Sequence, residues 1–198
     1  MKKTLIGFVM CALTASISSA FAADVRLINL GSEAGSVSFK IASQLQTASL
    51  DGDTASKFYP VANGRQQVLI MSKDNRFVPL TTAVDLQDGK QYTIVLWKQR
   101  LLSFEETPFD VPKDQVGVRV YGLNSNAISL LGISDVALGK TGHALFDKDV
   151  QTGFSWKFKG ATASESTLYH TFEGNGDIFV IDNGKTFGSM PKLLILDE

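Results

Sequence analysis

The chain has 198 residues, of which 44% are hydrophobic and 20% charged, and its formal net charge is -1. This balance provides no basic stripe for nucleic acid and no cationic face for anionic lipid, so neither class of partner is favoured. The single cysteine, Cys11, lies near the N-terminus and only two histidines occur. Disulfides and histidine-rich metal sites are therefore not expected.

Residues 1–22 have the order of features of a secretory signal peptide. Lys2 and Lys3 precede an apolar run, and the triplet Ala20-Phe21-Ala22 supplies small residues at the positions where a signal peptidase cleaves. Cleavage between Ala22 and Ala23 would leave 17 basic and 20 acidic side chains, a net charge of about -3, and would remove the cysteine. The apolar run is too short to span a bilayer, so a protein exported to the periplasm is predicted.

Residues 23–104 are predicted to form a β-sandwich domain. Apolar and polar residues alternate with a period of two, and turn residues interrupt this pattern roughly every 8 to 12 positions, which is typical of half-buried antiparallel strands. Asn63-Gly64 and Asp88-Gly89 are the strongest turn signals, because Asn, Asp and Gly tolerate positive φ. The predicted strands are 25–30, 36–41, 56–61, 67–71, 80–86 and 91–98.

Residues 105–113 are predicted to connect two domains. Pro108 and Pro112 fix φ and remove two backbone donors, so this segment should be extended and stiff. Phe104 and Phe109 are too apolar for a free linker and are expected, together with Pro108, to pack at the seam between the domains. The relative orientation of the domains should therefore be restricted.

Residues 114–198 are predicted to form a second β-sandwich, because the start of the first one recurs there. The segment 25–32, VRLINLGS, is followed 93 residues later by the segment 118–125, VRVYGLNS, with five of eight positions kept in type. Chance similarity between two ordinary β-strands is the alternative to duplication. The predicted strands are 115–123, 127–133, 153–159, 166–172, 177–182 and 192–196. The predicted fold class is all-β, with two tandem immunoglobulin-like β-sandwich domains.

No catalytic, metal or cofactor site is predicted. Nucleophile-elbow, phosphate-loop and paired-histidine motifs are absent from the sequence. His143, in a turn-like setting, and His170, in a predicted strand, each have too few potential ligands nearby for a zinc site. Ser166 with His170 is kept as an alternative esterase or acetyltransferase pair, although no orienting carboxylate or oxyanion donors are evident beside them.

Two groups of side chains are candidates for recognition. Arg26 and Arg119 alternate with apolar neighbours and are expected on equivalent outer faces, either as a partner surface or simply as solvated strand residues. Trp97, Tyr121 and Trp156 are candidate sugar-stacking platforms for an alternative function as a carbohydrate-binding module. Trp156 is first expected in the core of the second domain, and burial of the tryptophans would argue against this alternative.

The connector and the strand after it resemble the alginate O-acetylation protein AlgF family of Gram-negative periplasms. The shared pattern is FEETPF at 104–109, followed by VRV at 118–120 and Leu123-Asn124-Ser125. The resemblance implies a noncatalytic periplasmic adaptor that docks acetyl-transfer enzymes during O-acetylation of an exopolysaccharide, either alginate or a related polymer. Its implied partners are periplasmic and membrane O-acetylation proteins, with the polysaccharide as a further candidate, and no cofactor is implied.

Overall fold

The structure is a computed structural model that describes residues 22–30, 32–42, 45–46, 49–123, 129–130, 133–134, 136–156, 166–180 and 192–195. The predicted leader up to residue 21 lies outside these ranges. The described residues form β-strands and one short 3-10 turn at Ser32–Ala34. The predicted all-β class is therefore confirmed, while the division into two tandem immunoglobulin-like domains stays a prediction.

The strands are numbered in chain order. They are β1 Ala22–Leu30, β2 Val37–Ile41, β3 Leu45–Gln46, β4 Thr54–Ala55, β5 Tyr59–Ala62, β6 Gly64–Ser72, β7 Leu80–Leu86, β8 Gln91–Trp97, β9 Arg100–Glu106, β10 Gln115–Gly122, β11 Ser129–Leu130, β12 Ile133–Ser134, β13 Thr141–Asp147, β14 Gln151–Trp156, β15 Ser166–Thr171, β16 Gly176–Val180 and β17 Lys192–Ile195.

One five-stranded sheet and two four-stranded sheets organise the described part of the fold. The outer sheet has the order β3-β2-β6-β7, the middle sheet β4-β1-β8-β9 with β5 also paired to β1, and the third sheet β13-β10-β16-β17. β11 pairs with β12, and β14 pairs with β15, in two separate hairpins. The outer and middle sheets enclose a hydrophobic core that includes Val25, Leu27, Phe39, Ile70 and Ile94.

The middle sheet is buried on both faces. Along β1, Val25 and Leu27 point into the core shared with the outer sheet, whereas Ile28 and Leu30 join a second cluster. That second cluster also contains Tyr121, a residue of β10 in the third sheet. Because successive side chains of a strand point to opposite faces, a strand covered on both sides needs apolar residues at almost every position. The described sheets therefore stack in the order outer, middle, third.

The middle and third sheets have the same strand order and the same strand directions. β1 runs parallel to β8, and β10 runs parallel to β16, with antiparallel strands on either side of each pair. Arg26 lies opposite Thr93 in the first pair, and Arg119 lies opposite Asp177 in the second. A duplicated domain would produce this arrangement, and it brings the two equivalent arginines to equivalent register positions.

Two strands, β9 and β13, are not predicted from the sequence. β9 follows β8 through a two-residue turn in which Lys98 and Gln99 both have positive φ, 46° and 57°. β9 ends at Glu106, two residues beyond the predicted boundary at 104. β13 contains His143, which was expected in a turn-like segment. No helix in the described part of the chain is long and apolar enough to cross a membrane.

Candidate functional site: a buried polar network and two adjoining clefts

The Arg26 side chain is the centre of the site. It projects from β1 between the middle and third sheets and is only 3% exposed. Its Nε donates to Thr93 Oγ1 at 2.7 Å within the middle sheet. Its Nη2 donates across the junction to Tyr121 Oη at 2.5 Å and to Asp177 Oδ1 at 3.2 Å. One guanidinium therefore bonds to both sheets.

Two buried carboxylates balance the charge of two arginines. Arg26 Nη2 lies 3.0 Å from Asp177 Oδ2 and 3.5 Å from Glu106 Oε1. Glu106 also accepts a 2.5 Å hydrogen bond from the Tyr121 hydroxyl, and its Oε2 lies 3.2 Å from Arg119 Nη1. Removing charges from water is costly unless they are paired and hydrogen bonded, so these groups stabilise one another only while the two sheets stay together. Arg26, Thr93, Glu106, Arg119, Tyr121 and Asp177 are called the polar network below.

Burial dominates the acid–base behaviour of the polar network. It raises the pKa of Asp177 to about 6, against the opposing effect of Arg26. Burial also raises the pKa of Tyr121 well above its ordinary value, so the phenol stays protonated and donates to Glu106. For Arg26, desolvation opposes the charged form, but neighbouring Tyr121, Asp177 and Glu106 together raise its pKa.

Aromatic packing also contributes to the junction. The Tyr121 ring lies 5.3 Å from the Phe104 ring in an edge-to-face contact and 5.0 Å from the Phe179 ring in a stacked contact. Tyr121 thus contributes an apolar ring to this cluster and a hydroxyl group to the polar network. Tyr121 therefore joins the apolar cluster to the polar network at the junction.

Residues 107–114 connect β9 to β10 and lie against the third sheet. The Phe109 ring stacks on His143 with centroids 4.4 Å apart, and Arg119 Cζ lies 5.3 Å from the Phe109 centroid. A Cβ added to Gly117 would come within 2.8 Å of both Phe109 and Val111. Glycine at this position therefore permits the connector to approach the strand closely.

Two clefts adjoin the polar network, and Arg119 lines both. The histidine cleft has a volume of about 240 Å³ and includes Glu105, Glu106, Arg119, Thr141 and His143. The arginine cleft has a volume of about 280 Å³ and includes Arg26, Phe109, Val111, Arg119, Asn175 and Asp177. Each cleft therefore combines charged side chains of the polar network with residues of the connector or of the third sheet.

The predicted outer-face position of Arg26 and Arg119 is corrected by the structure. Arg26 is buried and Arg119 retains only 19% of its side-chain exposure. Arg26 lies on the face of the middle sheet that the third sheet covers, and Arg119 lies on the face of the third sheet that the middle sheet covers. Strand alternation alone does not reveal that these faces are covered. Among the predicted seam residues, Phe104 is buried against Tyr121, Phe109 is half-buried against His143 and Pro108 is exposed.

The candidate sugar-stacking and catalytic residues have different surroundings. Trp97 is 7% exposed and Tyr121 is fully buried, so neither presents a face to a sugar. The side chains of Trp156 and Ser166 lie outside the described residues, and the expected burial of Trp156 stays a prediction. His143 is exposed on the edge strand β13, and His170 is half-buried at 4.7 Å from the Phe172 ring. No cluster of three or more potential metal ligands occurs within the described part of the chain.

Four members of the polar network are not identified from the sequence in this role. The sequence predicts Glu106 in the connector, Tyr121 as a candidate sugar platform, and Thr93 and Asp177 only as strand residues. A usable signal was present at Asp177, because a carboxylate beside the apolar run Ile178-Phe179-Val180 is seldom buried without a cationic partner.

A protein-family model described as "Domain of unknown function (DUF4397)" matches residues 23–130, more than half of the chain. The match covers the outer sheet, all of the middle sheet except its first residue, and β10, so it includes Arg26, Glu106, Arg119 and Tyr121. No curated protein matches the chain significantly.

Proposed function

We propose that this chain, which belongs to the DUF4397 family, is a noncatalytic periplasmic adaptor in exopolysaccharide O-acetylation. The description of the family assigns no function, so the proposal is argued from the residues of this chain. The observation that carries this proposal is the polar network. Arg26 bonds to Thr93 in its own sheet and to Tyr121 and Asp177 in the third sheet. Such a junction fixes the two sheets relative to each other, which is what an adaptor needs to present surfaces at constant spacing.

The surroundings of the acidic groups favour binding over bond making. Glu106 and Asp177 are 1% and 2% exposed and are already paired with Arg119 and Arg26. These carboxylates hold the junction together, which supports a structural role for the charged cluster.

The assignment to a pathway rests on the sequence. The leader with Lys2 and Lys3 supports export, and the family match begins at Ala23, the first residue after the predicted cleavage site. The pattern at 104–109 and 118–125 supports the link to O-acetylation through its resemblance to the AlgF family. The proposed partners are periplasmic and membrane acetyl-transfer proteins.

Gene deletion and complementation test this proposal. A deletion strain should still make its exopolysaccharide, but with fewer acetyl esters per sugar, and the wild-type gene should restore them. The double variant Ser166→Ala, His170→Ala should restore acetylation as well as wild type, because no chemical step is assigned to either side chain.

Two results would contradict the proposal. Unchanged acetyl content in the deletion strain would exclude a role in O-acetylation. A folded double variant that fails to restore acetylation, and purified wild-type protein that releases acetate from a chromogenic acetyl ester, would instead indicate an enzyme.

A further inference from the structure

We propose that the arginine cleft binds one uncharged sugar residue of a polysaccharide. This inference extends the proposed function by naming the class of ligand. Only the identity of the polymer that is bound rests on the proposed function. The described residues that line this cleft include neither Trp97 nor Tyr121, two of the predicted stacking residues.

Hydrogen-bonding capacity remains unused at the inner end of this cleft. Asp177 Oδ2 is buried without a hydrogen-bond donor in the described structure, although Arg26 Nη2 lies 3.0 Å away as an ion-pair partner. The hydrogen bonds and ion pairs of Arg26 with described residues use Nε and Nη2 but not Nη1, and its Cζ lies 4.9 Å from the centroid of the Phe58 ring. Those of Arg119 use Nη1 and Nη2 but not Nε. Buried polar groups are rarely left without partners, so Asp177 Oδ2 indicates a ligand or water that completes it. The two guanidinium nitrogens are donors that the described residues leave available.

The combination of unused donors and an unused acceptor favours hydroxyl groups. A hydroxyl donates one hydrogen bond and accepts others, whereas a carboxylate only accepts and an ammonium only donates. The charges nearby are already balanced, because Arg26 pairs with Asp177 and Arg119 pairs with Glu106. A charged ligand would therefore add an uncompensated charge beside a partly buried cluster.

The wall and the size of the cleft fit a single sugar ring. Phe109 and Val111 form an apolar side, against which the C–H groups of a pyranose can pack, opposite polar groups that reach its hydroxyls. Carbohydrate and other small-ligand sites commonly combine apolar walls with a few placed polar groups. A volume of about 280 Å³ is enough for one sugar residue but not for a folded peptide segment.

Titration of the isolated mature chain, residues 23–198, tests the inference without any partner enzyme. Cellotetraose serves as the uncharged probe and a mannuronic acid tetramer as the charged probe, with binding followed by amide chemical shifts. Cellotetraose should shift the amides of Gly117, Asn175 and Gly176 in a saturable manner. Val111→Trp, which fills the cleft from the connector, should weaken this binding at least about tenfold, and Val111→Ser, which shortens the apolar wall, should weaken it several-fold.

Val78→Trp is the matched control, because Val78 is 76% exposed and does not line the cleft. It should leave the affinity for cellotetraose unchanged. Absence of saturable shifts at these amides, or equal affinity in the folded Val111 variants, would overturn the inference. Binding of the charged tetramer alone, abolished by salt, would also overturn it, because the cleft would then recognise charge. Since no acetylation is measured, a failure here leaves the adaptor proposal standing, and normal acetylation in the deletion strain leaves sugar binding standing.

Discussion

Asp177 is the residue at which burial and charge pairing oppose each other most directly. Burial raises its pKa to about 6 although Arg26 lies 3.0 Å away. The folded protein therefore holds a proton on Asp177 at pH values where the unfolded chain has already released it. The contribution of this group to the free energy of unfolding accordingly decreases as pH rises from about 4 to about 6.

Replacing Asp177 with Asn should remove this pH dependence. In wild type, the ionisation of Asp177 should lower the free energy of unfolding by about 2 kcal/mol between about pH 4.5 and about pH 7. The variant has no carboxyl proton to release and should lack this decrease. Urea unfolding at both pH values measures the difference. Asp85→Asn, at an exposed position of β7, should retain the wild-type dependence. An identical pH dependence in wild type and Asp177→Asn would contradict the role assigned to this carboxyl group.

At the scale of the element, the β8–β9 hairpin positions Glu106 for the junction. β9 pairs with β8 from Gln91↔Glu106 to Trp97↔Arg100, and its even-numbered residues Phe104 and Glu106 face the third sheet. The turn requires positive φ at Lys98 and Gln99, a conformation that side chains with a Cβ adopt at some cost. The hairpin is therefore stabilised by its strand pairing and packing more than by its turn residues.

Gln99→Gly should stabilise the protein, because glycine adopts a positive φ without the clash that a Cβ makes. The expected gain is about 1 kcal/mol in the free energy of unfolding after the greater entropy of the unfolded chain is deducted. Gln87→Gly provides a matched control at an exposed position that is not among those with positive φ, and it should be neutral or destabilising. Denaturant unfolding of both variants measures the effect, and equal destabilisation by the two changes would show that the turn is not strained at Gln99.

For the whole molecule, the important feature is that the middle and third sheets share one buried junction. Phe104 of β9 is 2% exposed and packs on Tyr121 of β10, and Tyr121 continues the contact to Phe179 of β16. The polar network extends the same junction with ion pairs that need both sheets. Unfolding of either sheet would therefore expose apolar surface and unpaired charges on the other.

Phe104→Ala should reduce the free energy of unfolding by about 3 to 5 kcal/mol, because it leaves a cavity within the junction. The middle and third sheets should unfold in one transition in wild type, and the variant should lower the temperature of that transition. Calorimetry measures both properties. Val78→Ala, at an exposed site, should change stability by no more than about 0.5 kcal/mol. Two separate transitions in wild type, with only one lowered by Phe104→Ala, would show that the junction does not couple the sheets.

The sequence by itself determined the features that depend on local pattern. Alternation along β7 and the turn signals at Asn63-Gly64 and Asp88-Gly89 were sufficient to predict strands and an all-β class. β1 and β8 were predicted as strands too, although they are buried at almost every position rather than alternately. The repeated Val-Arg-aliphatic pattern also identified Arg26 and Arg119 as equivalent residues, because equivalent strands carry their side chains with the same period of two.

Only the tertiary structure decided what covers those arginines. Alternation shows that Arg26 and Arg119 lie on the opposite face from Val25 and Val118, but it does not distinguish solvent from another sheet as the neighbour of that face. The stacking of the middle and third sheets brings Glu106 and Asp177, which are distant in sequence from Arg26, within 3.5 Å of its guanidinium. The charges become a buried network because long-range packing excludes water from both faces at once, and no local sequence pattern encodes that exclusion.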